Sequence, residues 1–214
     1  MLKERIDYVR QRIDLALRRS KRSHVVEIVA VTKKVGVPQI REAIQLGITN
    51  VAESRVKEAV EKFGALADLS FKKHMVGHLQ SNKVKLCVEN FDCIQSLDSL
   101  KLAKEINLRA MNAGKIMEVM IQVNTAGDDR QGILPSQVEH FYGKLISFRN
   151  IKVIGLMTIA PYVSPEETRP SFRMLREINE RLGLKYLSMG MTNDYEVAVE
   201  EGSNMIRIGT ALFH

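Results

Sequence analysis

Past residue 24 the chain alternates between short β-branched apolar runs and segments whose apolar positions recur at helical spacing. The runs at residues 25–33, 50–52, 72–76, 93–96, 117–124, 153–158, 186–189 and 205–208 predict eight strands. Helices between them are predicted to begin near Pro38, Ser54, Ser81, Leu100, Pro135, Pro165 and Asp194. Three of those starts carry a proline, which a first helical turn tolerates because its missing N–H would have had no partner there. Asp98 and Ser99 supply side-chain oxygens suited to capping the helix that follows them. The first strand, with Val25, Val26, Ile28, Val29 and Val31, is almost wholly apolar, as buried parallel strands are. Strands that alternate with helices in this way predict an α/β protein, a (β/α)₈ TIM barrel with short loops. An open doubly wound sheet has the same alternation and stays as the rival.

The segment before this rhythm is different. Leu2, Ile6, Val9, Ile13 and Leu17 form an apolar stripe at helical spacing, predicting an extra N-terminal amphipathic helix over residues 1–24, packed on one domain spanning 1–214. Its outer face carries eight basic side chains against three acids. The whole chain of 214 residues has 32 Lys and Arg against 25 Asp and Glu, a formal net charge of +7, so most of the excess sits in this helix. No aromatic platform accompanies these cations, so a solvated helix face is expected rather than a nucleic-acid surface. Apolar residues make up 45%, enough to bury a core and to exclude a disordered chain. No apolar run approaches membrane-spanning length, and the start has no apolar signal region, so neither membrane nor export is expected. Cys87 and Cys93 have neither disulfide-framework nor metal-site spacing; two reduced, partly buried thiols in a reducing cytoplasm are expected, with no metal.

In either rival fold, chemistry belongs at the C-terminal ends of the strands. Lys33 closes the first strand, where desolvation would favour the neutral, nucleophilic amine and Schiff-base chemistry; a snorkelling surface lysine is the alternative. His78, in a polar loop after the third strand, reads as an acid/base or as a loop brace. Asn124 closes the fifth strand and either contacts a ligand or ties down a neighbouring loop. Ser188, Met189, Thr192, Asn193 and Asp194 lead from strand seven into a helix, and Arg207, Gly209 and Thr210 close strand eight. Small residues and hydroxyls after strands seven and eight of a barrel point to a phosphorylated ligand. Combined with a strand-one lysine, they suggest a pyridoxal phosphate site.

Six runs sharpen this: AVTK around Lys33, GHLQSNK at 77–83, IQVN ending at Asn124, GLM at 155–157, LSMGMTND at 187–194 and RIGTALF at 207–213. In order and spacing, from about residue 25 to 213, they resemble the pyridoxal phosphate homeostasis proteins, whose fold is that of the alanine racemase N-terminal domain. The resemblance implies that Lys33 forms an internal aldimine with pyridoxal 5'-phosphate and that Arg207 faces the pyridine nitrogen. It implies that Thr192, Gly209 and Thr210 bind the phosphate, with Ser188, Met189 and Asn124 close by. The expected function is storage, buffering or delivery of the cofactor by a monomer, with apo-enzymes as further partners. A guanidinium does not protonate the pyridine nitrogen, so robust turnover is not expected. The alternative is a slow single-domain racemase, for which only His78 or Tyr162 offers a second acid/base; a barrel for another sugar phosphate or a nucleic-acid-associated protein ranks below it.

This chain departs from the family pattern in the FGEN segment, which reads Val51-Ala52-Glu53-Ser54 and shortens the asparagine to Ser54. A second lysine, Lys34, follows Lys33; strand alternation would send only one of them into the pocket.

Overall fold

The computed structural model describes residues 1–127 and 130–214. Strands β1 (Glu27–Val31), β2 (Asn50–Glu53), β3 (Lys72–Met75), β4 (Cys93–Leu97), β5 (Met117–Gln122), β6 (Ile151–Met157), β7 (Tyr186–Ser188) and β8 (Met205–Ile208) pair in sequence order. All pairings are parallel, and β8 closes on β1 with Glu27 opposite Met205. The sheet is thus a closed barrel, and the open-sheet rival falls.

The helices are α1 (Leu2–Arg19), α2 (Val37–Gln45), α3 (Val56–Gly64), α4 (Val84–Asn90), α5 (Leu100–Asn112), α6 (Val138–Leu145), α7 (Arg169–Leu182), α8 (Tyr195–Glu200) and the short α9 (Thr210–Phe213). Short 3₁₀ turns precede α4, α6 and α7, so those helices start three or four residues after the predicted points. Ser99 caps α5 by accepting a hydrogen bond from the Leu102 amide. No helix among the described residues is long and apolar enough to cross a membrane.

Strand one is shorter than predicted at both ends. Its neighbours β2 and β8 begin opposite Val29 and Glu27, so residues 25 and 26 have no strand to pair with and Val25 is exposed. After Val31 the chain leaves the sheet in a turn at Lys33 and Lys34, the latter at φ +63°. Strand five likewise stops at Gln122, two residues before Asn124, and β7 stops before Met189.

Helix α1 ends at Arg19, short of the predicted residue 24; it buries Ile6, Val9 and Ile13 of the predicted stripe together with Ala16, and Leu2 and Leu17 are half-buried. Its basic face has partners within the chain. Arg12 grips Glu196 of α8 through Nε and an NH2 group at 2.8 and 2.7 Å, and Arg19 reaches Glu200 and Glu196 at 2.6 and 2.9 Å. Much of the charge excess at this end therefore serves helix packing.

The main core lies between barrel and helices, where Phe63 meets Phe91 edge to face. A second cluster fills the barrel itself: Val29, Ala52, Cys93, Met120, Met157 and Met205. Both cysteine thiols are wholly buried, which pushes them up and leaves them inert, so they are not the partly buried groups expected.

Polar groups share the barrel interior. His74 on β3 is buried between Asn50 and Gln95. Burial, seconded by Lys72, pushes its imidazole down to about 3. The unfolded chain protonates this histidine near 6.5, the folded chain does not, so acid favours unfolding. Stability contributed by neutral His74 is complete above that value and lost as pH falls toward about 3. The expected slope reaches roughly 1.4 kcal/mol per pH unit between about pH 6 and 4. Urea unfolding across that range checks it, and His74→Gln should remove this share of the slope.

Candidate functional site

A cavity of about 990 Å³ opens where the strands end, lined by residues at or after the ends of β1, β2, β5, β6, β7 and β8. Of the expected site residues it brings together Lys33, Thr192, Arg207, Gly209 and Thr210. Lys34, Ser54, Arg55, Arg130 and Asp194 join them.

The lysine turn is held from below. Thr32 is buried and donates from Oγ1 to Glu53 Oε1 at 2.7 Å. Lys62 of α3 donates to the same carboxylate oxygen at 2.7 Å and to the Thr32 carbonyl at 2.8 Å. Glu53 is wholly buried at the end of β2. The residue before Lys33 is therefore clamped by an ion pair from the next βα unit. Lys33 and Lys34 themselves are exposed and both line the cavity. Two expectations fall here. Burial at a strand end is not what sets the chemistry of Lys33, because it stands beyond the strand. Strand alternation does not choose between the two lysines, because a turn with Lys34 at positive φ carries both toward one cavity.

Arg207 forms the floor and is buried. One terminal nitrogen donates to the Ser188 carbonyl and hydroxyl at 2.9 and 2.8 Å, and the other donates to the Thr158 carbonyl at 2.7 Å. Burial pushes the guanidinium down to about 10, against the favourable field of Asp194, and it remains a cation at neutral pH.

The far wall is built of two loops. Gly190 has φ +93°, and a Cβ there would stand 2.6 Å from the Ala198 side chain, so the turn after β7 requires glycine. Asp194 accepts from the Met191 amide at 2.6 Å, which folds residues 191–194 into a side-chain-closed turn. Burial raises the Asp194 carboxyl. Thr192 Oγ1 accepts from the Ala211 amide at 3.3 Å and so ties this loop to the corner at Gly209 and Thr210. A Cβ on Gly209 would come 3.3 Å from the Val31 carbonyl oxygen, so glycine keeps this stretch of wall bare.

Three expected residues lie outside the cavity wall. Asn124 accepts from the Ala126 and Gly127 amides at 3.1 and 3.2 Å and donates to the Arg130 carbonyl at 3.0 Å, the loop-tying alternative of its two readings. Ser188 and Met189 are buried behind the wall, Ser188 directly under Arg207. His78 lines a separate cavity of about 300 Å³, with Nδ1 3.9 Å from Asp98. Arg130, Glu53 and Lys62 were missed. An acid closing a short strand after Val51 and Ala52 was the available signal for Glu53; Lys62 and Arg130 carry none, because only the fold brings them here.

The alanine racemase N-terminal domain profile matches residues 6–214. The pyridoxal phosphate homeostasis protein of Aquifex aeolicus is 40% identical over 219 residues, covering 98% of this chain and 96% of that protein. That of Synechocystis is 38% identical over 197 residues, covering 88% and 90%. The structure of PipY from Synechococcus elongatus with PLP bound is 33% identical, with TM-score 0.88 and full coverage of both chains. Alanine racemase of Clostridium difficile shares the fold at 16% identity and TM-score 0.72, covering 95% of this chain and 56% of that one.

Proposed function

This chain belongs to the alanine racemase N-terminal-domain family, among the pyridoxal phosphate homeostasis proteins, and from that premise we propose how it holds pyridoxal 5'-phosphate and what it does with it. The donor set fits the group. The described wall offers amines at Lys33 and Lys34, guanidinium groups at Arg55, Arg130 and Arg207, hydroxyls at Thr192 and Thr210, and Asp194 as its one acidic side chain. Such a surface favours a phosphorylated anion.

Bound pyridoxal phosphate supplies an aldehyde that condenses reversibly with an amine. Lys33 offers that amine from its clamped turn. Arg207 donates an N–H to the pyridine nitrogen and keeps its proton. Thr192, Thr210 and the bare backbone at Gly209 hold the phosphate, as small-residue loops after strands seven and eight do in other barrels. Ser188, Met189 and Asn124 act from behind, by holding Arg207 and the loop ahead of Arg130. The guanidinium on the cavity floor carries the reading of a cofactor store that delivers to apo-enzymes rather than a catalyst. It leaves the ring unprotonated and a weak electron sink. Of the side chains a racemase would draw on, His78 lines another cavity, and Tyr162 lines the Lys33 cavity but is almost wholly exposed to water. Two buried, unpaired thiols accord with work in a reducing cytoplasm.

The test is the visible spectrum of the protein with pyridoxal phosphate, followed by borohydride reduction and peptide mass mapping. A single reduced adduct on Lys33 is expected. An adduct on Lys34 would reassign the amine, and no specific adduct would overturn the site. Amino-acid racemisation at ordinary enzyme rates, abolished by Lys33→Ala, would overturn the non-catalytic role. Ser54 lines the same cavity with a shorter side chain than the family's asparagine. Ser54→Asn should tighten cofactor binding modestly, by roughly two- to fivefold for one added neutral hydrogen bond. An unchanged dissociation constant in a pyridoxal phosphate titration would sink that expectation.

A further inference from the structure

The polar side chains inside the barrel join in one unbroken chain whose donors all run one way. Arg207 donates to Ser188 Oγ at 2.8 Å, and Ser188 Oγ donates to Gln95 Oε1 at 2.7 Å. Gln95 Nε2 donates to His74 Nδ1 at 3.0 Å, and His74 Nε2 donates to Asn50 Oδ1 at 3.0 Å. Asn50 Nδ2 then donates to Glu27 Oε2 at 3.2 Å. The chain crosses from β8 through β7, β4, β3 and β2 to β1.

Its direction is set by its ends. A guanidinium has only donors and a carboxylate only acceptors, so every group between them must accept on one side and donate on the other. A neutral imidazole meets that demand in one tautomer, with the proton on Nε2, and burial keeps His74 neutral. A Ser188 hydroxyl whose single hydrogen is taken by Gln95 presents lone pairs to Arg207. Without Gln95 the hydroxyl is free to turn its hydrogen toward the guanidinium and lose that bond. Bonds aligned in this way in a dry interior also polarise one another.

We propose that His74 and Gln95 are positioning residues for the pyridine-nitrogen end of the cofactor site: they orient Ser188, which holds the guanidinium of Arg207 against the ring. The proposal rests on the reading that Arg207 faces the pyridine nitrogen. It assigns a binding role to two side chains that do not line the cavity.

The test compares pyridoxal phosphate with its carbocyclic analogue, in which CH replaces the ring nitrogen, for dissociation from the parent protein and from His74→Leu, Gln95→Met and His74→Gln. The parent protein should prefer pyridoxal phosphate. His74→Leu and Gln95→Met should lose most of that preference, about tenfold, with little change in affinity for the analogue. His74→Gln, which can still accept and donate, should restore it. If His74→Leu does not fold, Gln95→Met, which keeps the volume, carries the comparison. Equal weakening of both ligands would mean a merely structural role and overturn the proposal while leaving the site reading intact. A parent protein without preference would overturn both, because Arg207 would then not face the nitrogen. Nitrogen-15 shifts of His74, measured without cofactor between pH 5 and 8, should report the Nε2–H tautomer; the other tautomer would break the chain and overturn the proposal.

Discussion

Arg207→Leu is expected to weaken pyridoxal phosphate binding by roughly ten- to a hundredfold, the equivalent of about 1.5–3 kcal/mol for one charge-assisted hydrogen bond. The same change removes the donor to the Thr158 carbonyl and to the Ser188 hydroxyl, while the Ser188 carbonyl keeps the Thr158 amide at 3.1 Å. Each buried acceptor left without a donor costs about 1–3 kcal/mol. Relief of a buried cation and added apolar packing offset part of this, leaving a net loss of about 2–4 kcal/mol. Arg207→Lys separates the two effects. It keeps a positive charge but not the planar fork, so it cannot reach both the β7 and β6 acceptors and the ring. Affinity should fall nearly as far as in the leucine variant while much of the stability returns. Urea unfolding and pyridoxal phosphate titration of both variants provide the check. A leucine variant that binds the cofactor as tightly as the parent would remove Arg207 from the site.

The alternation of strands and helices was legible because its evidence is local, whereas closure into a barrel was not, since an open sheet has the same alternation. Short, β-branched apolar runs such as Ile28 to Val31 read as buried parallel strands, and the helical spacing between them fixes the alternation. Thr192, Arg207, Gly209 and Thr210 were legible because short motifs at strand ends place them whatever the loops do. Lys33 was found by type, but its setting was misjudged: the exit from β1 depends on where β2 and β8 begin, which the β1 segment does not encode. The Lys62–Glu53–Thr32 clamp was illegible for the same reason. Glu53 and Lys62 lie nine positions apart across a strand–helix junction, a spacing with no fixed geometry until the barrel closes. The chain of groups from Arg207 to Glu27 draws on six strands, and each member taken alone reads as a tolerated polar residue in a strand.

Lys62→Met should be among the most damaging single changes. It leaves the wholly buried Glu53 carboxylate without its cation, and breaking such a pair from one side typically costs about 3–5 kcal/mol. Lys62 is itself partly buried, which favours the lower end of that range. It also frees the Thr32 carbonyl, so the turn carrying Lys33 loses a tether one residue from the reacting amine. Stability and capture can then be separated. The double variant Glu53→Leu/Lys62→Met replaces the pair with apolar groups of similar bulk, a change that is often neutral for stability. It should regain most of the loss seen in urea unfolding, with a coupling energy of the order of 2–3 kcal/mol between the two sites. It cannot restore the hydrogen bond that Thr32 donates to Glu53 or the one that Lys62 donates to the Thr32 carbonyl. The rate at which borohydride traps pyridoxal phosphate on Lys33 should therefore stay depressed in the double variant, by roughly tenfold for a misplaced reacting group. If the double variant recovers trapping together with stability, the ion pair supports only the fold. If stability returns and trapping does not, the pair holds the lysine turn in place for the cofactor.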